Sequence, residues 1–271
     1  MSDSRPIGVF DSGVGGLTVA AALARALPDE SILYLGDTAR LPYGTKSVDT
    51  VTRYTECNLD FLLARGVKAV VVACNTASAL ALPRLTSPLP LWGVVEPGAE
   101  RAARTSRGRV GVIATEATIR SGAYASALRA RRPDLAILSE ACPLFVPLVE
   151  EGWLDDVVTE TVARRYLAPL LAAEIDTLVL GCTHYPLLAP LLARVAGDGV
   201  DLVDSAEAVA TRVARDLAAS GALAPAAAPR HDHFCVTDDS ERFARLARVI
   251  LGRDVLLELV DLGLAAEKGM P

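Results

Sequence analysis

No stretch of 18 residues in this chain is apolar without an interrupting charge, so a membrane-spanning helix is not expected. The opening MSDSRPIGVF has neither the basic region nor the apolar run of a secretory signal, which leads us to expect a cytoplasmic protein. A basic excess is missing too. The formal net charge is −6, which excludes a general nucleic-acid surface while leaving room for a local basic patch. There is no CxxC pair and there are only three histidines, which leaves a structural zinc site poorly supplied with ligands. His231 and His233 flank Asp232 beside Phe234 and Cys235, but this segment reads as a strand edge after a linker. No metal is expected.

What is present is enough core for two α/β domains or one large one: 271 residues, 51% hydrophobic and 22% charged. The five cysteines, with no signal in view, read as free thiols in a reducing compartment. Two of them occupy equivalent places. KAVVVACNTAS (residues 68–78) and DTLVLGCTHYP (residues 176–186) each run through aliphatic residues to a small residue and a cysteine. Cys74 is followed by Asn75 and Thr76, Cys182 by Thr183 and His184, and each pair by a segment that reads as helix. This is the pattern of a buried parallel strand feeding a helix. Each cysteine thus falls at a strand's carboxyl end, where open α/β sheets hold ligands. There a helix N-terminus draws a thiol pKa down from about 8.5 towards neutrality. The repetition predicts two similar halves presenting one thiol each to a shared site. Cys57, Cys142 and Cys235 lack this context and are expected to be small buried residues.

In order, residues 7–10 form a strand that leads into Asp11-Ser12-Gly13-Val14-Gly15-Gly16 and a helix over 17–27. The glycines allow backbone N–H groups close to an anion. This is not a dinucleotide fingerprint, since the third glycine of GxGxxG falls on Thr18. Asp11 fits equally a helix cap and a ligand contact. A strand at 31–36 precedes the irregular loop DTARLPYGTK, whose Pro42-Tyr43-Gly44 reads alone as a surface turn that offers N–H groups and a phenol. A helix over 48–65 leads to the Cys74 strand. A strand at 91–95 follows, and Pro97-Gly98 break the chain into a short helix ending at 104. Residues 109–114 are a strand, Thr115-Glu116-Ala117-Thr118 a hydroxyl-rich turn, 121–131 a helix and 136–138 a weak strand. The apolar run 141–152 ends in Glu150 and Glu151, both read as surface groups, the alternative being burial with a raised pKa. A long helix over 155–173 precedes the Cys182 strand; a strand at 200–203 then feeds a capped helix over 206–217. A proline-punctuated loop (221–230), a strand (233–236), a helix (240–251) and a closing strand (255–260) complete the chain before a frayed AAEKGMP tail. Alternating strands and helices predict α/β layers in two lobes, residues 1–96 with 207–271 and residues 97–206, with the site in the cleft between them.

Two facing thiols form a redox disulfide, bind a soft metal, or act as acid and base on opposite faces of one carbon. Redox pairs usually use CxxC, and a metal wants more ligands. Inverting a stereocentre by proton transfer needs a base on one face and an acid on the other, which two similar lobes supply. Asp11 near Cys74 and His184 beside Cys182 are the neighbours that bring a thiol towards the operating pH.

IGVFDSGVGGLTV (7–19), YLGDTARLPYG (34–44), ACNTAS (73–78), ATEATIRSGAY (114–124), CPLFVPLVEEG (142–152) and LGCTHYPLL (180–188) occur in this order. With them the chain resembles glutamate racemase, the cofactor-independent family that makes D-glutamate for bacterial peptidoglycan, over nearly its whole length. The resemblance implies that Cys74 and Cys182 are the acid–base thiols, with Asp11 assisting the first and His184 and Glu150 the second. It implies a glutamate pocket lined by Asp11, Ser12, Pro42, Tyr43, Gly44, Asn75, Thr76, Thr115, Thr118, Thr183 and His184. Ala114 stands where that family usually has glycine. The family varies in oligomeric arrangement; for this chain a homodimer is the expectation. From the few residues ahead of the first strand we expect no activation by a cell-wall precursor. Its rivals are an aspartate or hydantoin racemase of the same superfamily and a binding protein that inhibits gyrase. Turnover of L-aspartate against L-glutamate separates the first; a supercoiling assay with Cys74→Ser separates the second.

Overall fold

The computed structural model describes residues 2–238 and 241–263. Strands β1 (Ile7–Asp11), β2 (Ile32–Gly36), β3 (Ala69–Val72) and β4 (Leu91–Gly93) are joined by helices α1 (Leu17–Ala26), α2 (Val48–Ala64) and α3 (Asn75–Leu80). After α4 (Val95–Thr105) come β5 (Arg109–Ala114), α5 (Glu116–Ser121), α6 (Ala123–Arg131), β6 (Ala136–Ala141), α7 (Phe145–Glu150) and α8 (Val157–Ala172). Then follow β7 (Thr177–Gly181), α9 (Ala189–Ala196), β8 (Asp201–Asp204), α10 (Ser205–Ser220), β9 (His233–Val236), α11 (Glu241–Leu251) and β10 (Leu257–Leu259).

The strands form two sheets, ordered β10-β9-β2-β1-β3-β4 and β6-β5-β7-β8. Every pairing is parallel. The order 2-1-3-4 in the first sheet and 6-5-7-8 in the second are the same topology, so β3 and β7 are equivalent strands. Each sheet has an apolar cluster on either face, as parallel sheets covered by helices require. Late in the chain, β9 pairs with β2 and β10 with β9, extending the first sheet.

The chain passes between the sheets twice, after β4 and after β8. α4 buries Ala99, Ala102 and Ala103 in a cluster with Val110, Val112 and Val179 of the second sheet. α10 buries Val209, Val213 and Leu217 with Ile7, Val9 and α1 of the first. Asp204 caps α10, its carboxylate accepting from Ala206 N–H at 2.7 Å, as its place before the helix predicts.

Several expectations change. Pro97 and Gly98 do not break the chain but lie in the first turn of α4, where a missing N–H costs nothing. The 115–118 segment is no turn: Thr115 caps α5, accepting from Thr118 N–H at 3.4 Å, and Gly122 at φ +65° ends it before α6. The helix after Cys182 is delayed by a 3-10 turn over Tyr185–Leu188. β6 is six residues long and not a weak fragment. Cys142 and Cys235 are buried as expected; Cys57, on α2, is partly exposed. The frayed tail and the Ser240 start of α11 fall outside the described residues.

At the end of the first sheet away from the cysteines, Lys68 and Glu30 form a buried ion pair. Lys68 Nζ donates to Glu30 Oε1 at 2.8 Å, to Asp3 O at 2.7 Å and to Ala222 O at 2.8 Å. Glu30 Oε1 also accepts from Ala224 N–H at 2.8 Å. The pair thus ties the N-terminal segment and the loop after α10 to β3. Lys68→Met is expected to cost about 3–5 kcal/mol in urea unfolding, because it strands a buried carboxylate. A cost under about 1 kcal/mol would mean the pair behaves like a surface bridge.

Candidate active site

The carboxyl ends of both sheets face one cavity. Its lining includes Ser12, Gly13, Pro42, Tyr43, Gly44, Cys74, Asn75 and Thr76 from the first sheet's loops. Thr115, Pro143, Val146, Pro147, Glu150, Cys182, Thr183 and His184 complete it from the second. Cys74 sits just past β3 at the start of α3, and Cys182 just past β7, so the equivalent strands deliver one thiol each.

Asp11 and Thr118 do not line the cavity; they stand behind it. Asp11, the last residue of β1, is wholly buried. Its Oδ2 accepts from Gly13 N–H at 3.2 Å and Gly16 N–H at 2.9 Å, and its Oδ1 from the Thr183 hydroxyl at 3.4 Å. It therefore fastens the start of α1 and ties the two sheets together. Burial raises its pKa against the pull of His184 and the backbone N–H groups. Thr76, Thr115 and Thr118 form a triangle of hydroxyls, with sides of 3.0, 3.2 and 3.0 Å, that also bridges the sheets.

The Cys74 thiol is not drawn towards neutrality. Burial first, and the Asp11 charge second, push it up to about 12, while the Ser12 hydroxyl 3.8 Å away opposes them only in part. α3 has six residues, and its N-terminal field does not outweigh desolvation. Cys74 thus rests as a neutral thiol, a proton donor. The other side differs. His184 Nδ1 lies 3.9 Å from Cys182 Sγ, and its Nε2 lies 3.4 Å from Glu150 Oε1. Burial alone would lower the His184 pKa, but Cys182, Glu150 and Asp11 together raise it to about 10. An imidazolium therefore stands beside Cys182 at neutral pH.

Glu150 corrects the surface reading: its side chain is 13% exposed, turned to His184, whereas Glu151 is exposed as expected. Its pKa is lowered, not raised; desolvation pushes it up, and His184 and Arg242 more than offset this. Arg242 of α11, which sequence reasoning missed, reaches across from the first sheet. It meets Glu150 Oε2 at 3.5 Å and Glu151 Oε1 at 2.7 Å. Tyr43 lines the cavity with its ring, but its phenol is already committed: it donates to Asp37 and accepts from Asn58 Nδ2 at 3.0 Å. Ala114 pairs in register with Gly181, whose missing side chain leaves room for the alanine methyl.

The raised His184 pKa has a stability consequence. Its folded pKa lies above the ordinary 6.5, so the stabilisation is full below pH 6.5 and is lost as pH climbs towards 10. Unfolding free energy is expected to fall with pH across that window in the parent, and His184→Asn to flatten the slope. Parallel slopes for parent and variant would remove His184 as the origin.

Known proteins agree with this geometry. The sequence matches the Asp/Glu/Hydantoin racemase family over residues 15–213. It is 51% identical over 267 residues to a glutamate racemase of Geobacter metallireducens, covering 97% of this chain and 98% of that one. A glutamate racemase isoform of Bacillus anthracis superposes with a TM-score of 0.92 at 40% identity, covering 95% of this chain and 98% of that one. Glutamate racemase of Francisella tularensis in complex with D-glutamate does so with a TM-score of 0.90 at 37% identity, covering 96% and 99%. The paired parallel sheets, each with a cysteine after its third strand, and these likenesses over nearly the full length have one conclusion: this chain belongs to the Asp/Glu/hydantoin racemase family.

Proposed function

We propose that this protein interconverts L- and D-glutamate by proton transfer at Cα between Cys74 and Cys182, without a cofactor, and so supplies D-glutamate for peptidoglycan. The observation that carries this reading is that thiols from equivalent strands of two like sheets line one cavity. Support for the substrate comes from the glutamate racemases at 51% identity and from the relative held with D-glutamate. On the Cys182 side, the thiolate takes the Cα proton in one direction and the resulting thiol returns it in the other, beside the His184 imidazolium; Glu150 holds that imidazole. On the Cys74 side the resting neutral thiol is the acid, and Asp11 assists the return. Ser12, Asn75, Thr76, Thr115 and Thr183 are the donors for the two carboxylates, with the Pro42-Tyr43-Gly44 turn closing over them. Asp11 and Thr118 act from behind.

Racemisation is tested by turning over L-glutamate in deuterium oxide with no cofactor added. D-glutamate carrying deuterium at Cα is the expected product. A folded, reduced enzyme that exchanges nothing would overturn the reading.

We extend the proposal to a homodimer in the cytoplasm. No helix among the described residues is long and apolar enough to cross a membrane. Leu144, Trp153, Val157 and Val158 form an exposed apolar set around α8, which supports a self-interface. Sedimentation at monomer mass at micromolar concentration would remove the dimer.

A further inference from the structure

Tyr124 of α6 lies outside the cavity, yet it touches a residue that lines it. Its hydroxyl meets Asn75 Oδ1 at 2.6 Å, joining α6 on the second sheet to the start of α3 on the first. Tyr124 and Asn75 are each 3% exposed. The other end of the carboxamide, Nδ2, is buried and has no protein partner, and Asn75 borders the cavity. A phenol is a better donor than acceptor, and an amide oxygen is the better acceptor of the two amide ends. This fixes which way the carboxamide faces: oxygen to Tyr124, NH₂ left over.

The phenol is built in rather than resting there. A side chain on Gly98 would put its Cβ 3.4 Å from both Tyr124 Cε1 and the hydroxyl, and one on Gly181 would put it 3.1 Å from Cε2. The ring thus lies in a slot between α4 and the end of β7, in contact range of Gly98 and kept clear on the β7 side by the missing side chain of Gly181. Ser205, the first residue of α10, borders the same space: its hydroxyl donates to Leu180 O at 3.4 Å and its Cβ lies 3.3 Å from the place of a Gly98 Cβ. The hydroxyl itself spans the two sheets, from α6 to the start of α3.

We propose that Tyr124 is a positioning residue that holds Asn75 with its NH₂ edge towards the cleft, making Asn75 a donor to a substrate carboxylate and unable to accept from a carboxamide. This rests on the glutamate reading above. It assigns to one buried hydroxyl part of the discrimination between an acid and its amide. An unpaired buried donor costs free energy until an anionic oxygen meets it, and an amide NH₂ brought to the same point faces a second donor.

Tyr124→Phe keeps the ring in its slot and removes only the hydroxyl, so the freed carboxamide can rotate. The KM for glutamate is expected to rise about tenfold, the value of one hydrogen bond to a charged group, with kcat little changed. Inhibition constants for glutamine and for the α-amide of glutamate, each lacking one carboxylate, are expected to improve relative to glutamate for one of the two. That one identifies the carboxylate that Asn75 meets. In an Asn75→Ala background the same substitution is expected to change nothing further, whereas a merely structural loss repeats in both backgrounds. An unchanged KM and amide preference in Tyr124→Phe, or an equal loss in the Asn75→Ala background, overturns the assignment. Where the parent exchanges the Cα hydrogen of glutamate, that failure belongs to Tyr124 alone. A parent without exchange overturns the glutamate reading and this assignment with it.

Discussion

Replacing Cys74 or Cys182 by serine is expected to slow glutamate racemisation by about 10²–10⁴-fold in each variant, the usual contribution of one general acid or base. The loss should be equal in kcat/KM from either enantiomer. Mirror-image reactants have the same free energy, so the equilibrium constant is unity and the two values of kcat/KM are tied for every variant. The asymmetry of the site must be sought in a reaction that stops half way. Elimination of HX from a β-substituted analogue needs a proton removed from one face and none returned to the other. Cys74→Ser retains the Cys182 thiol with His184 beside it, and Cys182→Ser retains Cys74. The two variants are therefore expected to eliminate from opposite enantiomers, measured as halide release from each β-chloro isomer. Elimination from the same enantiomer by both would contradict thiols on opposite faces.

The second large effect is expected at a residue with no side chain. A Cβ on Gly15 would lie 2.5 Å from His184 Nδ1 and 2.5 Å from Thr183 Oγ1. The two atoms belong to the loop after β7, and both are held: Thr183 by Asp11, and His184 between Cys182 and Glu150. Gly15→Ala must therefore displace the imidazole or push the sheets apart at the β1 loop. A misplacement of about 1 Å at a reacting group costs about 10²-fold, and kcat/KM is expected to fall by that much or more. The thermal midpoint should move little, because the clash is with side chains bordering a cavity and not with the core. Activity within about threefold of the parent would mean that His184 repositions without consequence.

Much of this was legible because the fold repeats itself. The aliphatic runs ending in Cys74 and Cys182 announce parallel strands, and their polar sequels announce a site; two copies announce a shared one. What stayed hidden has one cause: it depends on partners distant in sequence. Glu150 follows an apolar run and looks like a helix-end surface group until His184 and Arg242 are brought to it. The Cys74 thiol pKa was misread because helix proximity shows in sequence, whereas full burial beside Asp11 does not. Tyr124 lay inside a helix expected for other reasons, with nothing local to reveal the slot beside Gly181. The Tyr43 phenol read as available because Asp37 and Asn58, which occupy it, come from a neighbouring turn and from α2.

The two passages of chain between the sheets have a mechanical consequence. They leave from equivalent strands, at Val94–Val95 and at Asp204–Ser205, and the helices that follow them pack together. A door hung at two points swings about the line through them and resists sliding or twisting. Entry of glutamate is accordingly expected to swing the halves about that line. Spin labels on either side of the cavity, at Leu41 and Pro143, should change separation when glutamate is added, and labels on the two crossing helices, at Arg101 and Arg215, should not. A change of similar size at both pairs would mean that the halves shear. One rotation then sets both thiols at once, and the reaction's two faces cannot be adjusted independently.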